Sequence, residues 1–278
     1  MKFRVFYVII ILLVVGCSTT KLPAKKISQA EIPTPKFILK NKSLEIQLIN
    51  PASCPIRFEI ETNNSNLNNR LKELGIIELK AKSDTLVRIR NVSQFDQNAS
   101  FGYNWRFGSL SKKITPIKME LPFPKGKKYK VIQGNNTNHT HNTEWSKFAV
   151  DFDLKINDTI CSSTDGFVVG VVDQYKYGGK GDEWKSYGNF VTIYEPNSGI
   201  FTQYVHLTEN GSLVKVGDKI KKGQPIGMSG MTGQTDIEHL HFNCLVPTNS
   251  EDGLKSIEFD FVGGYKSIEL KKGDILEK

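Results

Sequence analysis

Hydrophobic residues follow two different rhythms along the chain. From Val5 to Val15 they form one unbroken run, and beyond it they alternate with polar residues over short stretches. Between Lys36 and about Lys118 the alternation is clear in Leu44-Glu-Ile-Gln-Leu48, Ile56-Arg-Phe-Glu-Ile60, Ile76-Ile-Glu-Leu79 and Leu86-Val-Arg-Ile-Arg90. Successive side chains of an extended strand face opposite sides, so period-two alternation broken by Asn, Ser and Asp predicts half-buried strands. A second set of strands is predicted at Phe148–Leu154, Gly166–Val172, Phe190–Tyr194, Phe201–Leu207 and His239–Leu245. Gly188-Asn189, Asn197-Ser-Gly199, Val216-Gly-Asp218 and Lys222-Gly-Gln224 supply turns between them. No amphipathic helix of useful length stands out. The expectation is a mainly β chain.

The apolar run Val5–Val15 is shorter than the roughly 20 residues that span a bilayer, and Lys2 and Arg4 precede it. Residues 1–17 therefore read as an export signal. Its Gly16-Cys17 ending resembles a bacterial lipobox, which implies a lipidated Cys17, membrane attachment and a location in the cell envelope. Residues 18–35 are polar and read as a tether. Residues 36–120 read as an immunoglobulin-like β-sandwich without histidines or clustered carboxylates, and no chemistry is assigned to it. Pro122–Lys128, rich in Pro, Gly and Lys, marks the boundary to a second domain over 126–278.

The formal charge of +8 suits an anionic neighbour such as a wall polymer or phospholipid surface. Nucleic acid is not expected, because the basic residues are scattered and no recognition helix or aromatic RNA-reading motif occurs. Cys54, Cys161 and Cys244 match no zinc or redox spacing and are expected as buried thiols.

All five histidines fall between His139 and His241. They occur as His139-Thr-His141, Tyr204-Val-His206-Leu207 and His239-Leu-His241-Phe242, with Asp151 inside Phe148-Ala-Val-Asp-Phe152. In a strand His239 and His241 share one face while Leu240 and Phe242 share the other. Asp151 opposes Phe148, Val150 and Phe152 in the same way. Alternation likewise puts Tyr204 and His206 together, opposite Val205 and Leu207. Three strands each presenting a polar side chain opposite an apolar face can build one polar groove. Imidazoles and a carboxylate with an open position describe a catalytic zinc centre. Alone, each element is an ordinary surface group. Only their combination points to a metal, and on the residues alone either His139 or His141 could serve.

From Gln133 to Pro247 the chain resembles the lysostaphin-type (LytM-like) zinc endopeptidases of peptidoglycan. The match lies in Phe148-Ala-Val-Asp-Phe152, Gly188-Asn-Phe-Val191, Tyr204-Val-His-Leu207, Val216-Gly-Asp218, Gly223-Gln-Pro-Ile-Gly227, Gly230-Met-Thr-Gly233 and His239-Leu-His-Phe242. The resemblance implies an antiparallel β-sheet peptidase domain holding one Zn²⁺ through His141, Asp151 and His241. It makes His206 and His239 the unliganded catalytic histidines, and peptidoglycan peptides the substrate. Many members have the first histidine four residues before the aspartate, where this chain has Lys147. Thr140-His141 fits the variant with a longer loop, which favours His141 over His139.

Tyr204 and Trp184 are expected at the edge of the groove, with Tyr175–Tyr187 as a loop lining it. Gly178-Gly-Lys-Gly181 lacks the Gly-Lys-Ser/Thr ending of a phosphate loop. The rival readings are a catalytically silent module that binds cell wall or activates a partner hydrolase, and a biotinyl- or lipoyl-like carrier. The second has no Met-Lys-Met acceptor.

Overall fold

The structure is a computed structural model that describes residues 22–24, 31–40, 42–92, 99–137 and 140–278. The expectations for Cys17, for residues 1–17 and for His139 fall outside the described residues. Among those described, no helix is long and apolar enough to cross a membrane. The chain is mainly β.

A nine-stranded sheet carries the C-terminal half. Its strands run in the order Lys219–Ile220, Gly166–Val172, Phe190–Tyr194, Phe201–Val205, Leu240–Pro247, Val150–Phe152, Lys128–Gln133 and Ile275–Glu277. Leu254–Ser256 pairs beside them on Leu240–Pro247, and every pairing in this sheet is antiparallel. The predicted alternation assigns its faces. Val150, Phe152, Val191, Ile193, Tyr204, Leu240 and Phe242 point into one core and are fully buried. Burying a side chain of this size stabilises a fold by about 1.5–3 kcal/mol.

The opposite face is divided. Tyr194, Phe201 and Leu245 at one end are buried in a second hydrophobic cluster, which also contains Leu44, Ile46, Ile56 and Phe58 from the N-terminal half. At the other end the same face, on the same strands, is polar and open. The site lies there.

Two three-stranded antiparallel sheets form the N-terminal part, Lys36–Lys40 with Ser43–Asn50 and Ser83–Ile89, and Ile77–Leu79 with Ile56–Thr62 and Phe101–Phe107. Their inward residues share one cluster, as two facing layers do. Arg57 ties this part to the large sheet. Its buried guanidinium donates to the carbonyls of Thr248 at 2.9 Å, Phe107 at 3.0 Å and Gly253 at 2.7 Å. Hydrogen bonds to charged groups contribute about 1.5–3 kcal/mol each where burial excludes water.

One sequence expectation needs correction here. Ser65–Leu74 is an α-helix, although no useful helix was expected. Asn64 caps it by accepting from the Leu67 N–H at 3.0 Å, Leu67 and Leu71 are buried one turn apart, and Gly75 stops it at φ +67°. Only two apolar residues face inward, so the helical period is too faint to read in an Asn-rich stretch. In addition, Phe123 of the Pro122–Lys128 stretch is fully buried in the core of the large sheet. Cys54, Cys161 and Cys244 are free and buried, as expected. Burial pushes the Cys244 thiol up to about 12, which leaves it protonated and unreactive at neutral pH.

Candidate metal centre

Three side chains converge at the middle of the open face. His241 and Asp151 are direct cross-strand partners on Leu240–Pro247 and Val150–Phe152, a relation that brings Cβ atoms to about 4.5–5.5 Å. His241 Nδ1 lies 2.9 Å from Asp151 Oδ1. His141 comes from the loop before Val150, and its Nε2 is 3.2 Å from both Asp151 Oδ1 and His241 Nδ1. Bonds of about 2.0–2.1 Å to a tetrahedral zinc put neighbouring donor atoms roughly 3.3 Å apart. Two imidazole nitrogens and one carboxylate oxygen at these separations fit such an ion.

The loop is folded back by hydrogen bonds. Gln133 Nε2 donates to Thr137 Oγ1 at 2.8 Å and to Thr140 Oγ1 at 3.0 Å. Ser146 Oγ donates to the Thr140 carbonyl at 2.7 Å. His141 Nδ1 donates to the Gly134 carbonyl at 2.8 Å, which fixes the tautomer and turns the Nε2 lone pair toward Asp151. Position 134 must be glycine, since a Cβ there would lie 2.3 Å from the Leu270 carbonyl oxygen.

The cluster concentrates charge around one acid. Burial alone would raise the Asp151 carboxyl, but His141, His239 and His241 outweigh it and hold the group well below the usual carboxylate range. Burial works against a charged His141, yet the Asp151 carboxylate overcomes it and the imidazole is raised. His241 is lowered by burial, against the pull of Asp151. His206 is lowered well below its ordinary value by burial and by His239 and His241. It is therefore neutral at pH 7.

His206 and His239 flank the three donors with ring centroids 4.5 Å apart. Each is oriented by a backbone carbonyl: His206 Nδ1 donates to Thr232 at 2.6 Å and His239 Nδ1 to Ile237 at 3.0 Å. Both Nε2 atoms are left for chemistry in the groove, and that of His239 lies 3.8 Å from Asp151 Oδ2.

The face expected for His206 is corrected by its backbone. Strict alternation would send it with Tyr204 into the core. Instead the strand stops at Val205, His206 takes φ +70°, and Leu207 starts a strand of another sheet. A non-glycine residue in the left-handed region is uncommon and is held by its surroundings. Here Thr232 and Asn189 hold it. Thr232 Oγ1 donates to the Leu207 carbonyl at 2.7 Å, while the buried Asn189 Nδ2 donates to Tyr175, Leu207 and Thr208 carbonyls. Sequence reasoning treated Asn189 as a turn residue and missed Thr232. Their signals were the Gly188-Asn189 and Gly230-Met-Thr-Gly233 stretches.

Tyr204 and Trp184 do not line the groove. Tyr204 is fully buried, its hydroxyl accepting from the Ser163 N–H at 2.6 Å and donating to Thr202 Oγ1 at 3.2 Å. Trp184 packs edge-on against Tyr187, with centroids 5.9 Å apart, and covers Gly179. It anchors the Tyr175–Tyr187 loop. Groove residues from that loop are Tyr175, Lys185 and Ser186. The groove holds about 1120 Å³ and runs from Val172 and Phe190 across His206, His239 and His241 to Gln133 and Lys271.

Residues 146–252 match the model of Peptidase family M23. An uncharacterized metalloprotease of Buchnera aphidicola is 26% identical over 246 residues, which cover 79% of this chain and 61% of that protein. The peptidoglycan DD-endopeptidase ShyB of Vibrio cholerae is 37% identical over 106 residues, 38% of this chain and 22% of its own length. Among solved structures, the catalytic domain of lysostaphin from Staphylococcus simulans aligns at 26% identity and a TM-score of 0.34. The alignment covers 47% of this chain and 87% of that one. The chain thus spans less than two thirds of the curated relatives it matches.

Proposed function

We propose that this chain, whose residues 146–252 are a peptidase M23 domain, is a zinc-dependent endopeptidase of peptidoglycan peptides, held in the bacterial cell envelope through a lipidated Cys17. The observation that carries this reading is the donor set His141, Asp151 and His241 with two further imidazoles beside it in one open groove. When bound, zinc supplies a Lewis acid that acidifies water to a pKa of ~7 in favourable sites.

The chain's own groups supply the rest. His206, neutral because it is buried beside other imidazoles, offers Nε2 as a proton acceptor at pH 7. His239 Nε2 sits across from it over the same space. Together the pair carries a proton from the attacking water to the departing amine and donates to the oxyanion of the carbonyl under attack. Gly134, Thr232 and Ile237 carbonyls keep the imidazoles from turning. Phe190, Val205 and Val172 provide an apolar floor along which an extended peptide can lie.

The purified chain is expected to contain about one zinc per molecule and to release soluble fragments from murein. Zinc without digestion by the wild type would instead favour a silent wall-binding module. Cells labelled with palmitate are expected to mark the wild-type chain and not Cys17→Ala; label retained in the variant refutes the anchor.

A further inference from the structure

One end of the groove carries two lysines that no carboxylate pairs among the described residues. Lys271 and Lys272 line it in an exposed turn directly after Leu270. This turn is fastened to the centre. Gly273 N–H donates to the Val131 carbonyl at 2.9 Å, and the Asp274 carbonyl accepts from the Val131 N–H at 2.8 Å. The Leu270 carbonyl packs against Gly134, whose own carbonyl orients His141. The two lysines therefore stand beside the strand end that carries Gln133, cross-strand partner of Asp151.

Of the other charges lining the groove, all but the distant Asp252 are engaged. Lys185 pairs with Asp182 at 3.1 Å, Asp236 pairs with Lys180 at 3.1 Å, and Asp151 is surrounded by histidines. Asp252 follows the far end of Leu240–Pro247, roughly 20 Å along that strand from His241. Asp274, in the same turn as the lysines, is engaged by the Lys271 backbone N–H at 2.8 Å. Among the described residues neither ammonium has a carboxylate within 4.0 Å.

We infer that Lys271 and Lys272 form a subsite for a carboxylate of the peptide lying in the groove, which makes the chain selective for acidic over amidated peptides. The inference rests on the peptidase reading for its biological use, but not for its measurement. An ammonium is a compact, rotatable donor suited to a flexible carboxylate. An exposed pair of this kind contributes modestly and is screened by salt.

The test uses two muropeptides that differ only in a free carboxylate against a carboxamide. Binding is read by fluorescence anisotropy on the His206→Ala background, and initial rates on the otherwise wild-type chain. The double variant Lys271→Ala/Lys272→Ala is expected to weaken binding of the carboxylate peptide about five- to tenfold at low salt and leave the amide peptide unchanged. KM moves in parallel while kcat stays level, and Lys271→Arg/Lys272→Arg restores most of the preference. Both lysines are exposed, so the fold is not at risk. Equal binding of the two peptides by the parent, or an unchanged preference in the alanine variant, overturns the subsite. If preference follows the lysines but no peptide is cleaved, the subsite stands and the peptidase reading falls.

Discussion

His241→Ala is expected to purify folded, without zinc and without measurable turnover. Fold survival follows from the strand's two faces: Leu240 and Phe242 remain in the core, while the lost ring stands on the groove face beside Asp151. Loss of metal follows from the donor count. Three protein donors converge here, and two cannot hold the ion against water. The kinetic effect exceeds that of losing a single acid or base, which is about 10²–10⁴-fold. It removes the acidification of water by about nine pK units on which attack at neutral pH depends. Zinc content by mass spectrometry of the metal, circular dichroism and murein digestion together check the result. One zinc per chain in the variant would mean that His241 is not a ligand.

The same site has a signed dependence on pH. Ligands must be deprotonated to bind metal. Asp151 stays ionised far into acid, because burial's opposing effect is outweighed by His141, His239 and His241. His141, raised by Asp151 despite its burial, holds its proton more tightly than a free histidine. Zinc occupancy is therefore lost as pH falls through the His141 titration and is retained above it.

His206→Ala is expected to keep zinc and lose about 10²–10⁴ in kcat, with little change in KM. The residue is no part of the three-donor cluster, and its ring is fixed by Thr232 rather than by a ligand. Its backbone complicates the reading. Alanine keeps the Cβ at φ +70° but loses the bond to Thr232 and the tolerance of the left-handed region that histidine shares with asparagine, so the chain can relax there and displace Leu207. His206→Asn separates the two effects, because asparagine tolerates the left-handed region. A loss of the same size in the asparagine variant, with zinc retained, assigns the effect to the imidazole. Full activity in it would show that His206 serves only to turn the chain.

Much of this centre was legible before the fold. Alternation alone put His239 and His241 on one face, Leu240 and Phe242 on the other, and Asp151 opposite Val150 and Phe152. These assignments need only the period of two that every strand obeys. The same rule failed at His206, because a single left-handed residue resets the alternation. Nothing in Tyr-Val-His-Leu announces one. Tyr204 was misplaced with it, drawn into the core by the register that sets it opposite Phe242. The helix Ser65–Leu74 was missed for a related reason: two leucines one turn apart leave almost no hydrophobic period.

The sequence by itself determined a mainly β chain and which strands carry polar chemistry, because those properties follow from the local order of apolar and polar side chains. Tertiary structure alone decided the partners. It brought His141 to Asp151 through Gln133, Gly134 and Leu270, and turned His206 into the groove through Thr232 and Asn189. It also set two lysines, unpaired with any carboxylate among the described residues, at the end of the groove. Each of these depends on contacts between residues far apart in the chain, whose burial selects one register and one loop path among many that the local pattern would permit.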